Sequence, residues 1–283
     1  MNKGVVIFLK GMLMGICDII PGISGGTIAF ITGIYDRLIN AVKNISPKLV
    51  VDFFRYIFKR DEGVKEDIRK VDIPFLVILG AGIGVAVLAG ARAVSFLLEN
   101  YFAYTISFFV GLILASSKAI FDRIEKHHGA NMIFGFIGLL IGILLSLIIP
   151  LEINPTFGYV FLGGFLAISA MFLPGISGAF ILLILGLYEF MLGVLHDILE
   201  NISFFIVFVV GAGLGAFTIS RVVSFLFRKD RCKTLYVLLG LVVGSLSIPI
   251  RNVYADPGNI FIMLLLLLLG FLAAWSINKV MRI

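Results

Sequence analysis

PGISGGTIAFITGIYD, residues 21–36, returns as PGISGAFILLILGLYE, residues 174–189. Nine of the sixteen positions are identical, and the last pair is acid for acid, Asp36 and Glu189. A second match follows in the same order. Gly80-Ala-Gly-Ile-Gly84 aligns with Gly211-Ala-Gly-Leu-Gly215, and Arg92 with Ser95 and Phe96 aligns with Arg221 with Ser224 and Phe225. Gly111, Leu112 and Ser116 then align with Gly240, Leu241 and Ser245. Self-similarity held in order along the chain marks a duplicated unit. In both copies Pro-Gly interrupts an apolar stretch. Proline ends the preceding helix, and glycine permits the dihedrals of a tight reversal.

The surroundings of the motif place it in a membrane. The chain has 283 residues, 60% hydrophobic and 14% charged, with mean hydropathy +1.11. Soluble domains are about 45–50% apolar and about 25% charged, so this chain lacks the polar surface to cover itself in water. Six stretches are long enough to cross the hydrocarbon as helices: Phe75–Leu98, Phe102–Ser117, Met132–Pro150, Ser203–Leu226, Thr234–Ile250 and Asn259–Ile277. Two more apolar pairs are broken by Pro-Gly and read as helical hairpins, Gly4–Ile39 and Phe157–Leu195. A membrane β-barrel would alternate along ten-residue strands, and Ile262–Phe271 does not alternate. Cys17 and Cys232 imply packing residues or free thiols rather than a disulfide framework. Asp18 interrupts the first apolar stretch and no A-x-A-like site follows, so that stretch reads as mature structure and not a signal peptide.

Basic residues set the expected orientation, because Lys and Arg accumulate in cytoplasmic loops. They concentrate over Lys43–Lys70, Lys118–Lys126 and Arg228–Lys233, and at the ends (Lys3, Lys10, Lys279, Arg282). The loops Glu99–Tyr101, Leu151–Pro155 and His196–Asn201 carry none, and Arg251–Gly258 carries only Arg251. Both termini inside, with each hairpin entering and leaving on one face, puts every basic loop inside. The net charge of +6 therefore reads as a topology signal and not as nucleic-acid affinity. Residues 43–72 read as an amphipathic segment on the cytoplasmic surface. The expected fold is an all-α polytopic membrane protein of two repeats, residues 1–150 and 151–283. Each is a Pro-Gly-broken hairpin followed by three transmembrane helices. Three is odd, so the second unit enters from the opposite face. Inverted repeats with interrupted helices are the mark of secondary transporters.

Several residues then stand out chemically. Ser24 and Ser177 can cap the helix after each turn. The turn backbones through Gly25, Gly26, Thr27 and Gly178 would present N–H groups to an anion. A charge within a span is costly, so Arg92 and Arg221 either snorkel to the interface or face a site. Guanidinium groups suit phosphate, and Ser95 and Ser224 lie three residues on, on the same helix face. An Arg-Ser pair from each half would form a phosphate clamp. Asp18 has the apolar Met171 as its repeat mate. Proton or sodium coupling, capping of the turn, and pairing with an arginine are all open to it. Asp36 and Glu189 sit at hairpin ends, in a structural or a gating role. The two glycine ladders let helices approach closely. No catalytic residue, metal site or cofactor is expected.

Residues 14–39, MGICDIIPGISGGTIAFITGIYDRLI, and residues 171–192, MFLPGISGAFILLILGLYEFML, resemble the two signature repeats of the polyprenyl-phosphate transporter (PopT-like) family, over essentially the whole chain. The resemblance implies return of undecaprenyl phosphate from the outer to the inner leaflet of the cytoplasmic membrane, in recycling of the cell-wall lipid carrier. Its implied partners are the polyprenyl phosphate lipid, the bilayer and a coupling ion. One rival is an undecaprenyl-pyrophosphate phosphatase, a class with a similar Pro-Gly-x-Ser turn. There an Arg in the turn and paired glutamates join the Ser, whereas Gly25-Gly26 and Gly178-Ala179 follow the serines here. Another rival is a secondary transporter of a small soluble anion, which would need an occluded cavity.

Overall fold

The computed structural model describes residues 3–19, 24–45, 71–148, 154–255 and 258–281. The turn Pro21-Gly22, most of the amphipathic segment (46–70) and the side chains of Arg92 and Ser95 lie outside the described residues. Among the described residues every regular element is an α-helix. They run in the order α1 (Lys3–Ile19), α2 (Gly25–Ile31), α3 (Tyr35–Lys43), α4 (Ile73–Asn100), α5 (Phe102–Phe121), α6 (Gly129–Ser146) and α7 (Phe157–Met171). Then come α8 (Gly178–Ile184), α9 (Tyr188–His196), α10 (Ile202–Lys229), α11 (Arg231–Ser245), α12 (Ser247–Ala255) and α13 (Ile260–Met281).

Among the described residues five helices are long and apolar enough to cross a bilayer: α5, α6, α10, the run Arg231–Arg251 and α13. The sixth expected span is α4, whose 28 residues extend to about 42 Å. The span expected over Thr234–Ile250 is interrupted at Leu246, between α11 and α12. Pro249 explains the break: it lacks an N–H and its ring crowds the preceding turn, which is tolerated only in the first turn of a helix.

Each hairpin breaks twice, once more than the Pro-Gly motif announces. The second break falls at Gly33 (φ +76) and at Gly186 (φ +65). Ile34 N–H donates to Ala29 O at 3.0 Å and Gly33 N–H to Phe30 O at 3.2 Å. Leu187 N–H donates to Leu182 O at 2.9 Å and Gly186 N–H to Leu183 O at 3.0 Å. These are the paired bonds of a Schellman helix end, whose left-handed residue glycine supplies without a side-chain clash. The second arm of each hairpin is therefore two short helices and not one of about 17 residues. Between α8 and α9 the axis turns by 115°.

The closest helix pairs are α1 with α4, α7 with α10, α5 with α13, and α6 with α11. In each, glycine lets two backbones touch. Gly82 meets the backbone at Phe8, and Gly211 that at Phe161. Gly111 meets Leu267 and Phe271, whereas Gly240 meets Gly135 and Leu139. Gly80, Gly84 and Gly213 face open space. The contacts set Gly82, not Gly80, against Gly211. That register shares the spacing of Arg92 and Arg221 (211 − 82 = 221 − 92 = 129). The main core gathers α2, α3, α5 and α11 around Phe30, Tyr35, Ile120 and Leu235, each at most 2% exposed, with Tyr236 beside them.

Candidate functional site

The two hairpins cross where the start of α2 and Tyr35 meet the end of α7. A helix leaves its last carbonyls without intrahelical partners. At the end of α7 those of Phe172 and Leu173 are met by the other hairpin. Tyr35 Oη donates to Phe172 O at 2.9 Å, and Ser24 Oγ donates to Leu173 O at 3.4 Å. In return Gly175 N–H donates to Thr27 Oγ1 at 3.0 Å. Ser24, Thr27 and Ser177 are all buried. Gly26 has to be glycine, since a β-carbon there would lie 2.8 Å from Met171 O. Its repeat mate, Ala179, carries one.

Serine caps were expected on both following helices. Ser177 makes its cap, with Phe180 N–H donating to Ser177 Oγ at 3.4 Å. Ser24 does not, although its backbone is extended as an N-cap requires (φ −116, ψ 125). Asp18 takes the role: Gly25 N–H donates to Asp18 Oδ1 at 2.7 Å. Of the readings open to Asp18, capping is the one made in the structure. Its Oδ2 is shut off from solvent and has no hydrogen-bond partner among the described residues.

Two cations that sequence reasoning did not single out serve the other end of α2. Lys10, counted above among the cations at the chain ends, is 4% exposed and donates to Thr32 O at 2.8 Å. Arg123 donates to Phe30 O at 3.1 Å, and its guanidinium lies 4.6 Å from the Phe30 ring centroid. A carboxylate at the start of a helix and cations at its end both complement the helix dipole. All seven residues of α2 are buried. The only sequence signals for this pair were the burial-prone setting of Lys10 inside an apolar run and its lack of a basic mate.

Arg221 stacks on Phe217, 3.3 Å from the ring centroid. It donates to Phe217 O at 3.0 Å and to Ile45 O, just past α3, at 3.3 Å. Ser224 is buried and lines a polar cavity of about 320 Å³ with Asp36, Asn40, Lys43, Arg228 and Arg231. Arg221 does not line that cavity, so the structure does not bring this Arg-Ser pair to one space. Asp36 pairs with Arg231 at 3.5 Å. Glu189 is exposed and makes no ion pair among the described residues. Both cysteines are free, Cys17 buried and Cys232 half-buried. No cluster of three His, Cys, Asp or Glu side chains suited to a metal forms among the described residues.

A buried crossing of polar groups within apolar helices is an arrangement in which a transporter could take a polar group through a bilayer. The comparisons with known proteins point the same way. A protein of Vibrio cholerae serotype O1 named polyprenyl-phosphate transporter is 36% identical over 239 residues, covering 84% of this chain and 75% of the relative. A protein of the same name from Staphylococcus aureus is 27% identical over 289 aligned positions, covering 96% of this chain and 95% of the relative. No solved structure is significantly similar. Residues 14–257 match the VCA0040-like family, and the chain, a multi-pass membrane protein, thus belongs to the undecaprenyl phosphate translocase-like family.

Proposed function

We propose that this chain carries undecaprenyl phosphate, or a close polyprenyl phosphate, from the outer to the inner leaflet of the cytoplasmic membrane, returning a cell-wall lipid carrier for reuse. Both named relatives are polyprenyl-phosphate transporters. The observation that carries the reading is the crossing, where Thr27 and Tyr35 of one broken hairpin bond the break of the other. Polar backbone away from water survives in a membrane only where protein or a ligand satisfies it.

The two halves, 1–150 and 151–283, are read as inverted repeats. The equivalent contacts of Gly82 and Gly211, and of Gly111 and Gly240, support that reading. So does the distribution of basic loops, which places both termini in the cytoplasm. The phosphate passes at the crossing, close to Ser24, Gly25, Gly26, Thr27, Ser177 and Gly178, with Arg92 and Arg221 as its cationic partners.

Asp18 supplies the coupling. Its carboxylate at the break repels a phosphate dianion, and taking up a proton removes that repulsion. Proton entry and phosphate entry are then linked, and the gradient drives the lipid inward. Asp36 and Glu189 act at the hairpin ends as gates. The chain is read as a carrier and not an enzyme. Ser24 Oγ donates to a backbone carbonyl and Ser177 Oγ accepts from a backbone N–H, and among the described residues neither hydroxyl is bonded to a base that could activate it.

The test is reconstitution in liposomes with C55-phosphate. A membrane-impermeant phosphatase reads the lipid in the outer leaflet, with and without a proton or a sodium gradient. Redistribution faster than in protein-free liposomes and accelerated by one gradient is expected. Arg92→Ala and Arg221→Ala are each expected to slow it several-fold. Wild-type rates in both would remove the arginines from the pathway. Phosphate release from a polyprenyl pyrophosphate by the purified protein would instead favour the enzyme.

A further inference from the structure

A groove of about 630 Å³ runs between α6, α10 and α11, on the side of α10 away from the polar cavity of Ser224. Its walls are apolar, with Phe134 and Ile141 from α6, Ile219 and Val222 from α10 and Leu241 from α11. One end touches Leu173 and Ile176, at the break of the second hairpin. The other end carries Lys229, Asp230 and Lys233. From Ile219 to Lys229 is ten residues of helix, about 15 Å, or half of the ~30 Å hydrocarbon layer. The groove therefore spans the depth of one leaflet, from a cationic rim to the crossing. Its flank opens sideways, since Ile141, Val222 and Leu226 are each more than 40% exposed.

The rim is built for an anion. Lys229 and Lys233 stand on either side of a single acid, Asp230. Asp230 caps α11 by accepting from Lys233 N–H at 3.0 Å and holds the Lys233 ammonium at 2.9 Å. The Lys233 backbone N–H and ammonium keep the Asp230 carboxyl below the usual carboxylate range. That pairing fixes Lys233 at the mouth, where its ammonium also lies 5.5 Å from the Phe134 ring centroid. Lys229 makes no ion pair among the described residues, so its charge is available. At the mates of these two lysines in the first half, 129 positions earlier, stand Asn100 and Tyr104. The duplication did not carry the rim, so it belongs to one leaflet.

We infer that this groove is the inner-leaflet berth of the transported lipid, with Lys229 and Lys233 gripping its phosphate and the first prenyl units lying along α6, α10 and α11 toward the crossing. The inference rests on the polyprenyl-phosphate reading above and adds where the lipid is held once it has crossed. Charge and depth select the occupant, a phosphomonoester on an apolar chain. A neutral prenol would lack the grip, and free phosphate would lack the walls.

The experiment is native mass spectrometry of the full chain in detergent, titrated separately with C55-phosphate, C55-polyprenol and phosphatidylglycerol, and with inorganic phosphate as competitor. Wild type is expected to retain C55-phosphate best and not to release it to inorganic phosphate. Lys229→Gln with Lys233→Gln is expected to lower that retention about tenfold and leave polyprenol binding unchanged. Val222→Trp, which fills the groove, lowers retention of both prenyl lipids. Arg251→Gln, which removes a cation elsewhere, retains C55-phosphate as wild type does. Wild-type retention in the double lysine variant and in Val222→Trp would overturn the berth while leaving the transport reading intact. So would phosphatidylglycerol binding as tightly as C55-phosphate, or displacement by inorganic phosphate. A wild-type chain that retains no C55-phosphate at all would strike at the transport reading itself.

Discussion

The two broken hairpins share a backbone plan and differ in what surrounds it. Both turn at an extended serine, run a seven-residue helix, and end it in a Schellman turn at a left-handed glycine. The first is buried along the whole of α2, with Asp18 at its start and Lys10 and Arg123 at its end. The second buries only Phe180 and Ile184 of α8. Neutral groups serve its ends, Ser177 at the start and Tyr159, which donates to Leu185 O at 3.0 Å. At the positions of Lys10 and Asp18 it has Gly163 and Met171. Duplication thus reproduces the turns, and the residues outside the repeated motif decide which copy holds charge. The charged copy is the candidate for coupling.

The largest expected effect separates the copies in transport. Asp18→Asn keeps an acceptor for Gly25 N–H but cannot ionise, and is expected to abolish the response of C55-phosphate movement to the gradient. Met171→Leu, at the mate position, should leave that response within about twofold. Equal loss in both would erase the distinction between the hairpins.

The next effect is on stability, read from thermal unfolding in detergent. Gly26→Ala drives a methyl group toward Met171 O and is expected to cost about 2–3 kcal/mol. Ala179→Gly, its mirror in the second hairpin, should cost about 1 kcal/mol or less. Thr27→Val leaves the buried Gly175 N–H without its acceptor, at about 1–3 kcal/mol, and Thr27→Ser should restore most of it. The smallest contrast lies between the serines. Ser177→Ala removes a working cap, for about 1 kcal/mol. Ser24→Ala should cost less, because Asp18 already caps α2. A larger loss at Ser24 would show that its hydroxyl, and not Asp18, holds the start of α2.

Much of the fold was legible in the sequence because apolar length and Pro-Gly act locally. The second break in each hairpin was equally local, yet Gly33 and Gly186 looked like interior positions of a long apolar arm. Their shared place before Ile34-Tyr35 and Leu187-Tyr188 is the signal that finds them. The glycine ladders misled by two positions, since GAGIG and GAGLG align best by identity while helix contact follows the spacing of the arginines. The crossing was legible only in outline. That Thr27 meets Gly175, 148 positions away, depends on how two hairpins dock, which no local pattern encodes. Lys10 could not be placed for the same reason: a carbonyl that makes its buried ammonium tolerable comes from the docked α2.

The most direct test of the account is the initial rate of C55-phosphate redistribution in proteoliposomes, for wild type and Asp18→Asn side by side, with and without a proton gradient. The account predicts gradient-accelerated movement in wild type and a flat, slow rate in the variant. A wild-type rate no higher than that of empty liposomes, or a variant that still follows the gradient, would contradict it.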